Sequence, residues 1–531
     1  MLSFIDTQVT SALLRTRRHR KRPSPKGAID GTLSEMTKPR HILVIGAGPA
    51  ALAAATRLLE KGSPQPRVTL LQMGHLFGGK AASYTDADGR TVEHGWHMIG
   101  GFYRNMRALM RRAGIDEAKT LRSMKQRQHV YEAADRRIHT IASGGSRGRV
   151  VLDFLRFAGM PLGDRLNFGR FMAQAFLRAI SGEELRQHDD ICFRTWAIEH
   201  GLRPHITRYS LFRLFREAYF NFPESISAFH VLQSLKLMST PEKAELFVVD
   251  GGYSERIWKP IADYFRRLGG RVVSTTMATD WVYEGRRIVG VKVAEPDARG
   301  HENPSRHWTT TEIPKKAGTE RVIRDFDAVI STIPVAILTK MNHGDQRMWR
   351  SPYFSRLRNI RSAATVSMTV LVRKPYMPYA GPVFGLPAPL GIATNMKPYW
   401  SEYRNDPTIG AAIHFVGQEA GFERWSDRQI VDFTLDNVSR VRQLGDIRAA
   451  GVLRVEIHRN RSDFERLMLC EPGVQQFRPG PLTPFRNLFV AGDWVRNQVD
   501  LICMEGAITS GLEAADMLLE RLPRMPPREG S

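Results

Sequence analysis

His41-Ile42-Leu43-Val44-Ile45-Gly46-Ala47-Gly48-Pro49-Ala50-Ala51 decides the fold class of this chain. The apolar run Ile42 to Ile45 reads as a short buried strand, and the glycines turn it. Ala50 to Lys61 is alanine-rich and reads as a helix; Val68 to Leu71 reads as the next strand. A strand, a glycine turn and a helix in that order form a dinucleotide-binding unit. Gly46 permits the tight turn. Gly48 lets backbone amides approach a pyrophosphate at the helix N-terminus, with Pro49 and Ala50 as the first residues of that helix. Ala51 is small enough for close packing of helix and strand.

The second strand of such a unit ordinarily ends in an acid that holds the adenosine ribose. Here Gln72 takes that register, and its amide oxygen accepts a hydroxyl bond without charge assistance. A second glycine loop, Phe77-Gly78-Gly79-Lys80-Ala81-Ala82-Ser83, follows closely; its lysine can neutralise a phosphate. Next comes Glu93-His94-Gly95-Trp96-His97-Met98-Ile99-Gly100-Gly101. At the far end stand Leu488-Phe489-Val490-Ala491-Gly492-Asp493 and Met504-Glu505-Gly506-Ala507. The two ends together point to one FAD gripped from both, and a flavin means redox chemistry.

The run from Gly78 to Gly114 resembles the plant and cyanobacterial type of carotenoid desaturase, within the flavin amine oxidase superfamily. Further segments resemble that family in order: Phe193 to Gly201 and Ile226 to Ala228 its lid, Gly251-Gly252 and Gly269-Gly270-Arg271 its second flavin segment, and Arg478-Pro479 through Gly511 its C-terminal segment. The resemblance implies an α/β fold: a Rossmann-like FAD-binding domain with a mixed α+β substrate domain and a helical lid. It implies that Gly46, Gly48 and Ala51 line the pyrophosphate and that Lys80 sits beside the phosphates or flavin. Gly95 would lie near the isoalloxazine ring, and Val273 would pair its backbone with the adenine. Asp493, after Gly492, would accept a ribityl hydroxyl, and the Met504 amide would face the flavin edge where negative charge builds on reduction. Gln72 and Asp493 depart from the desaturase pattern. The surroundings of Cys503 do not match the covalent flavin cysteine of monoamine oxidases, so FAD is expected to be non-covalent.

The implied activity is desaturation of a hydrophobic isoprenoid of carotenoid type, by hydride transfer to flavin, with quinone or oxygen as electron acceptor. The alternatives are an amine oxidase, a hydroxysqualene-dehydroxylase-like enzyme, or a non-enzymatic flavin scaffold. His97 is the candidate catalytic base; its other reading is a histidine bonded to backbone in a packed loop. His94 is read as solvent-facing, and Arg208, Arg213 and Arg216 as surface or lipid-facing residues.

Of 531 residues, 77 are basic and 54 acidic, for a formal charge of +23. That surface favours anionic partners. No nucleic-acid module is recognisable, so the expected partner is an anionic membrane surface. The 42% hydrophobic composition is that of a globular chain. Cys192, Cys470 and Cys503 show neither metal spacing nor a disulfide framework, so no metal is expected and a reducing, cytoplasmic compartment fits. The basic run Arg15 to Arg22 lacks the apolar core of a signal peptide and reads as a disordered tail with a possible acidic-lipid contact; Met36 is an alternative translation start. No segment reads as a transmembrane helix, which leaves peripheral attachment to the inner face of a membrane.

The expected organisation is a basic tail over 1–38, then FAD-binding segments at 39–115, 246–335 and 478–522. An exposed insertion is expected at 296–325. Residues 116–245 should supply a hairpin and a helical lid, and 336–477 an antiparallel sheet, with a short tail over 523–531. Residues 246–294 read as strand and turn.

Overall fold

The computed structural model describes residues 39–526 except 87–88, 94, 96, 125–126, 143–151, 153, 213–224, 298–313, 342–346 and 388–389. The expected 1–38 tail, His94, Arg213, Arg216, most of the insertion and the end of the C-terminal tail therefore lie outside the described residues.

His41–Ile45 is the central strand of a five-stranded parallel sheet. Arg67–Leu71 and then Arg271–Val273 lie on one side; Ala328–Ser331 and then Leu488–Val490 lie on the other. Ile45 stands opposite both Leu71 and Ser331, so three strands end level with the first glycine turn. The strand is buried throughout: Ile42 and Val44 share a core with the Pro49–Lys61 and Met504–Arg521 helices, and Leu43 and Ile45 share one with Trp281, Ile288, Val291 and Val293 of the antiparallel strands Met277–Glu284 and Arg287–Ala294. Pro49–Lys61 starts with proline, whose fixed φ suits a first helical turn. It packs tightly on Met504–Arg521: a Cβ on Gly511 would collide with the Ala50 carbonyl. Among the described residues, the first and last α-helices thus meet over the nucleotide sheet.

The second lobe is a seven-stranded sheet, ordered Val452–Asn460, Thr365–Val372, Ala411–Gln418, Leu390–Asn395, Pro382–Phe384, Arg127–Glu132 and Arg137–Ala142. Its neighbours are antiparallel except the parallel pair of Pro382–Phe384 with Arg127–Glu132. The lid packs Phe168, Phe171, Ala175 and Ala179 of the Leu162–Ile180 helix onto Phe193, Trp196 and Phe212.

Three expectations are corrected. Lys259–Arg267 is a helix within the stretch read as strand and turn; Ile261, Ala262 and Phe265 give it one buried face. Asp427–Ser439 is a helix inside the stretch read as sheet, started by a Ser426–Gln429 capping box. Arg321–Ile323, inside the expected insertion, pairs as an edge strand with Arg287–Ala294.

Candidate functional site

A cavity of about 800 Å3 opens where the central strand ends and runs between the two lobes. Gly46, Gly48, Pro49, Ala50, Gln72, Gly79, Lys80, Gly95, His97, Gly492, Asp493 and Met504 all lie on its wall. Residues read from both ends of the chain are therefore brought together. Ala51, Gly78 and Val273 are not on the wall. Ala51 is fully buried beneath the turn. Gly78 donates its N–H to the Ala47 carbonyl at 2.9 Å, and a Cβ on it would strike the Trp258 ring. The Val273 carbonyl accepts the Gln72 N–H at 2.8 Å, and the wall next to it is formed by Thr276 to Asp280.

The turn geometry explains the glycines. Gly46 has φ +119, and a Cβ there would collide with Thr332 Oγ1. That hydroxyl donates to the Ile45 carbonyl at 2.8 Å and fixes the turn from the neighbouring strand. Gly48 faces Gly79, whose Cβ position lies only 3.1 Å from the Gly48 Cα. Two bare backbones thus form a floor close to the helix N-terminus, where free amides favour a pyrophosphate. The Gln72 amide donates to the Leu76 carbonyl at 2.8 Å, and its oxygen accepts from Ser274 at 3.3 Å. One lone pair of that oxygen is left for a ribose hydroxyl.

Lys80 Nζ and Asp493 Oδ2 face each other at 3.5 Å across this wall. Below Lys80, His97 Nε2 donates to the Lys80 carbonyl at 2.9 Å. His97 Nδ1 lies 3.1 Å from the buried Glu93 carboxyl, and Tyr253 donates its hydroxyl to the His97 carbonyl at 2.8 Å. Burial pushes the Glu93 carboxyl up, against the His97 hydrogen bond. Since Nε2 is committed to a carbonyl, Glu93 and Nδ1 hold one proton between them. This is the backbone-bonded geometry of the second reading of His97.

Contacts behind the wall, which the motifs do not specify, hold its C-terminal part in place. Arg478 is wholly buried and donates to Asp500 at 2.7 Å and to the carbonyls of Asp493, Trp494 and Val495. It sets the course of the loop from Asp493 to the final helix. Glu505 accepts the N–H groups of Asn105 at 2.7 Å and Met106 at 2.9 Å, capping the Arg104–Arg112 helix. Cys503 caps the final helix by accepting the Gly506 N–H, and burial pushes its thiol up to about 12. Met504 begins that helix, so its own amide has no intrahelical partner. Beyond the glycine floor the wall turns apolar, with Met98, Phe102, Met238, Leu246, Ile392 and Val416. Among the described residues no cluster could hold a metal ion.

A bare-backbone floor, an opposed lysine and aspartate and an uncapped helix N-terminus fit a dinucleotide, and with the two-lobed fold they define a flavin-dependent oxidoreductase. The chain belongs to the flavin containing amine oxidoreductase family, whose profile matches residues 50–519. The cofactor is FAD. The chain is 22% identical over 493 residues to 15-cis-phytoene desaturase of Synechococcus elongatus, covering 91% of this chain and 96% of that protein. It is 25% identical over 532 residues to a probable zeta-carotene desaturase of the same organism, covering 90% and 98%. The fold is similar to putrescine oxidase with putrescine bound, at a TM-score of 0.64 and 14% identity over 91% of this chain and 100% of that one. It is also similar to cyclohexylamine oxidase from Brevibacterium oxydans, at 0.62 and 13%, covering 92% and 100%.

Proposed function

We propose that this enzyme desaturates an apolar isoprenoid of carotenoid type, drawn from a membrane at whose inner face it sits peripherally. The observation that carries the reading is the apolar wall continuing from the flavin cradle through Met98, Phe102, Met238, Leu246, Ile392 and Val416. Such a stretch of wall offers an apolar chain van der Waals contact. FAD, when bound, would supply the hydride acceptor, with quinone or oxygen as the final oxidant. The substrate would lose the hydride from one carbon and a proton from its neighbour to water, leaving a double bond. Gly46, Gly48 and Gly79 hold the pyrophosphate, Gln72 the ribose, and Asp493 the ribityl chain. Lys80 balances phosphate charge, and the Met504 amide faces the flavin edge. His97 positions the Lys80 loop. FAD is non-covalent: Cys503 is spent on a cap and Cys470 is buried off the wall.

A second reading, an amine oxidase, draws on Asp463 and Glu465, which also line the cavity. Asp463 is paired with Lys340 at 2.5 Å, which offsets its charge, whereas Glu465 accepts a neutral hydroxyl, from Ser462 at 2.7 Å, and is the carboxylate that could hold an amine. The test is anaerobic flavin absorbance before and after adding liposomes loaded with linear carotenes. Bleaching of the flavin band with a more conjugated product supports desaturation. An unchanged spectrum, with bleaching by amines instead, overturns it.

A further inference from the structure

The Leu162–Ile180 helix is apolar on two faces. Its inner face is the lid core, through Phe168, Phe171, Ala175 and Ala179. Its outer face carries Leu162 at 56% exposure, Leu166 at 56%, Leu177 at 63% and Ile180 at 47%. Ala173 lies exposed between them. The spacings of three, four and seven residues put these side chains on one stripe, about 27 Å long. Among the described residues nine large apolar side chains are exposed, and six fall between 152 and 180, with Leu152 and Leu155 preceding the helix. Single exposed leucines need no explanation, but a continuous stripe does.

The charges around the stripe have one sign. Arg156 and Arg170 are exposed beside it, and Arg165 and Arg178 are half-buried. Asp164 is the helix's only acid; it is buried and held by Arg203 and His205. Glu183, just past the helix, is paired with His188 and Arg178. Leucines flanked by the exposed Arg156 and Arg170 match an anionic bilayer: acyl chains take the leucines and head-group phosphates the guanidinium groups. The lid core beneath this helix adjoins the site, because Ile502 packs against that core and lines the cavity.

We infer that the outer stripe of the Leu162–Ile180 helix is the surface by which this protein seats on an anionic lipid bilayer. This deepens the membrane-borne substrate of the proposed function and specifies the face involved. The test uses the full-length FAD-loaded protein and carotene-free vesicles, so it reads seating independently of any desaturation. Co-sedimentation is measured with phosphatidylcholine vesicles with and without phosphatidylglycerol. The wild type should sediment with the anionic vesicles and be released by salt. A Leu166→Glu/Leu177→Glu double variant should bind at least about tenfold more weakly, with unchanged flavin absorbance and thermal midpoint. Val322→Glu, at an exposed residue of the small three-stranded sheet, should bind like wild type. Equal sedimentation of wild type and double variant overturns the inference, as does a wild type that ignores anionic vesicles. A wild-type dimer that the double variant converts to monomer also overturns it, assigning the stripe to a second copy of the chain.

Discussion

Lys80 Nζ lies 3.5 Å from Asp493 Oδ2, although 413 residues separate them in sequence. The pair faces the cavity, and each side chain keeps about a fifth of its surface exposed (22% and 20%). An ion pair that open is worth at most about 1 kcal/mol to the fold. Its significance lies in the wall it builds. Lys80→Met and Asp493→Ala should each leave the thermal midpoint nearly unchanged and weaken FAD binding about tenfold or more. Flavin-to-protein absorbance ratios and fluorescence titration check this. Full FAD occupancy in both variants would refute the assignment.

Gly46 and Gly48 should separate fold from function. Gly46 combines φ +119 with no room for a Cβ, so Gly46→Ala should destabilise the protein by about 2 kcal/mol or more and release the cofactor. At Gly48, a Cβ would meet its nearest atom at 3.8 Å, an ordinary contact. Gly48→Ala should fold with nearly wild-type urea stability and bind FAD poorly, because the methyl occupies the floor of the cradle.

His97 bonds the Lys80 carbonyl with one nitrogen and faces Glu93 with the other. A positioning role predicts that His97→Ala weakens FAD binding and shifts the flavin potential, while the pH–rate profile of the remaining turnover keeps its shape. If His97 were the base, the variant would lose the acidic limb of that profile and retain its flavin.

Arg478 is the costliest polar side chain to remove. Truncating one partner of a buried ion pair costs about 3–5 kcal/mol. Arg478→Met would leave Asp500, only 3% exposed, with Arg186 as its charged partner at 2.9 Å, and would leave three carbonyls without their donor. The urea midpoint should fall accordingly. Arg478→Lys, which keeps a cation beside Asp500, should recover part of the loss.

Acid stability depends on His414. Burial lowers its pKa to about 4, with the nearby His97 acting in the same direction, and the Gly95 carbonyl opposes. An unfolded histidine titrates near 6.5, so the unfolded chain takes up the proton first. The stabilisation is therefore complete above that value and lost as pH falls toward 4. It amounts to about 2 kcal/mol between pH 7 and pH 5. Burial lowers His230 in the same sense. Urea midpoints at the two pH values should differ less for His414→Gln than for wild type.

The nucleotide half of this protein was legible because its determinants are local. A buried strand, glycines that permit otherwise forbidden turns and a helix opened by proline leave a pattern within about 20 residues, and the C-terminal Gly492-Asp493 and Met504 repeat that legibility. Segment type failed where the pattern was ambiguous: Ile261, Ala262 and Phe265 suffice to bury one side of a helix, yet they sit in a stretch with strand-like neighbours.

Sequence by itself determined the parallel α/β core, the flavin and many residues of the cavity wall, since backbone stereochemistry there admits few side chains. Tertiary structure alone decided that Lys80 meets Asp493, that the Val273 carbonyl takes the Gln72 N–H and that Glu505 caps a helix some 400 residues earlier in the chain. It also decided that a helix already packed on one face presents a second apolar face outward. Such pairings follow from which surfaces close against one another. Burial energy summed over the whole core sets that closure, and no local pattern encodes it.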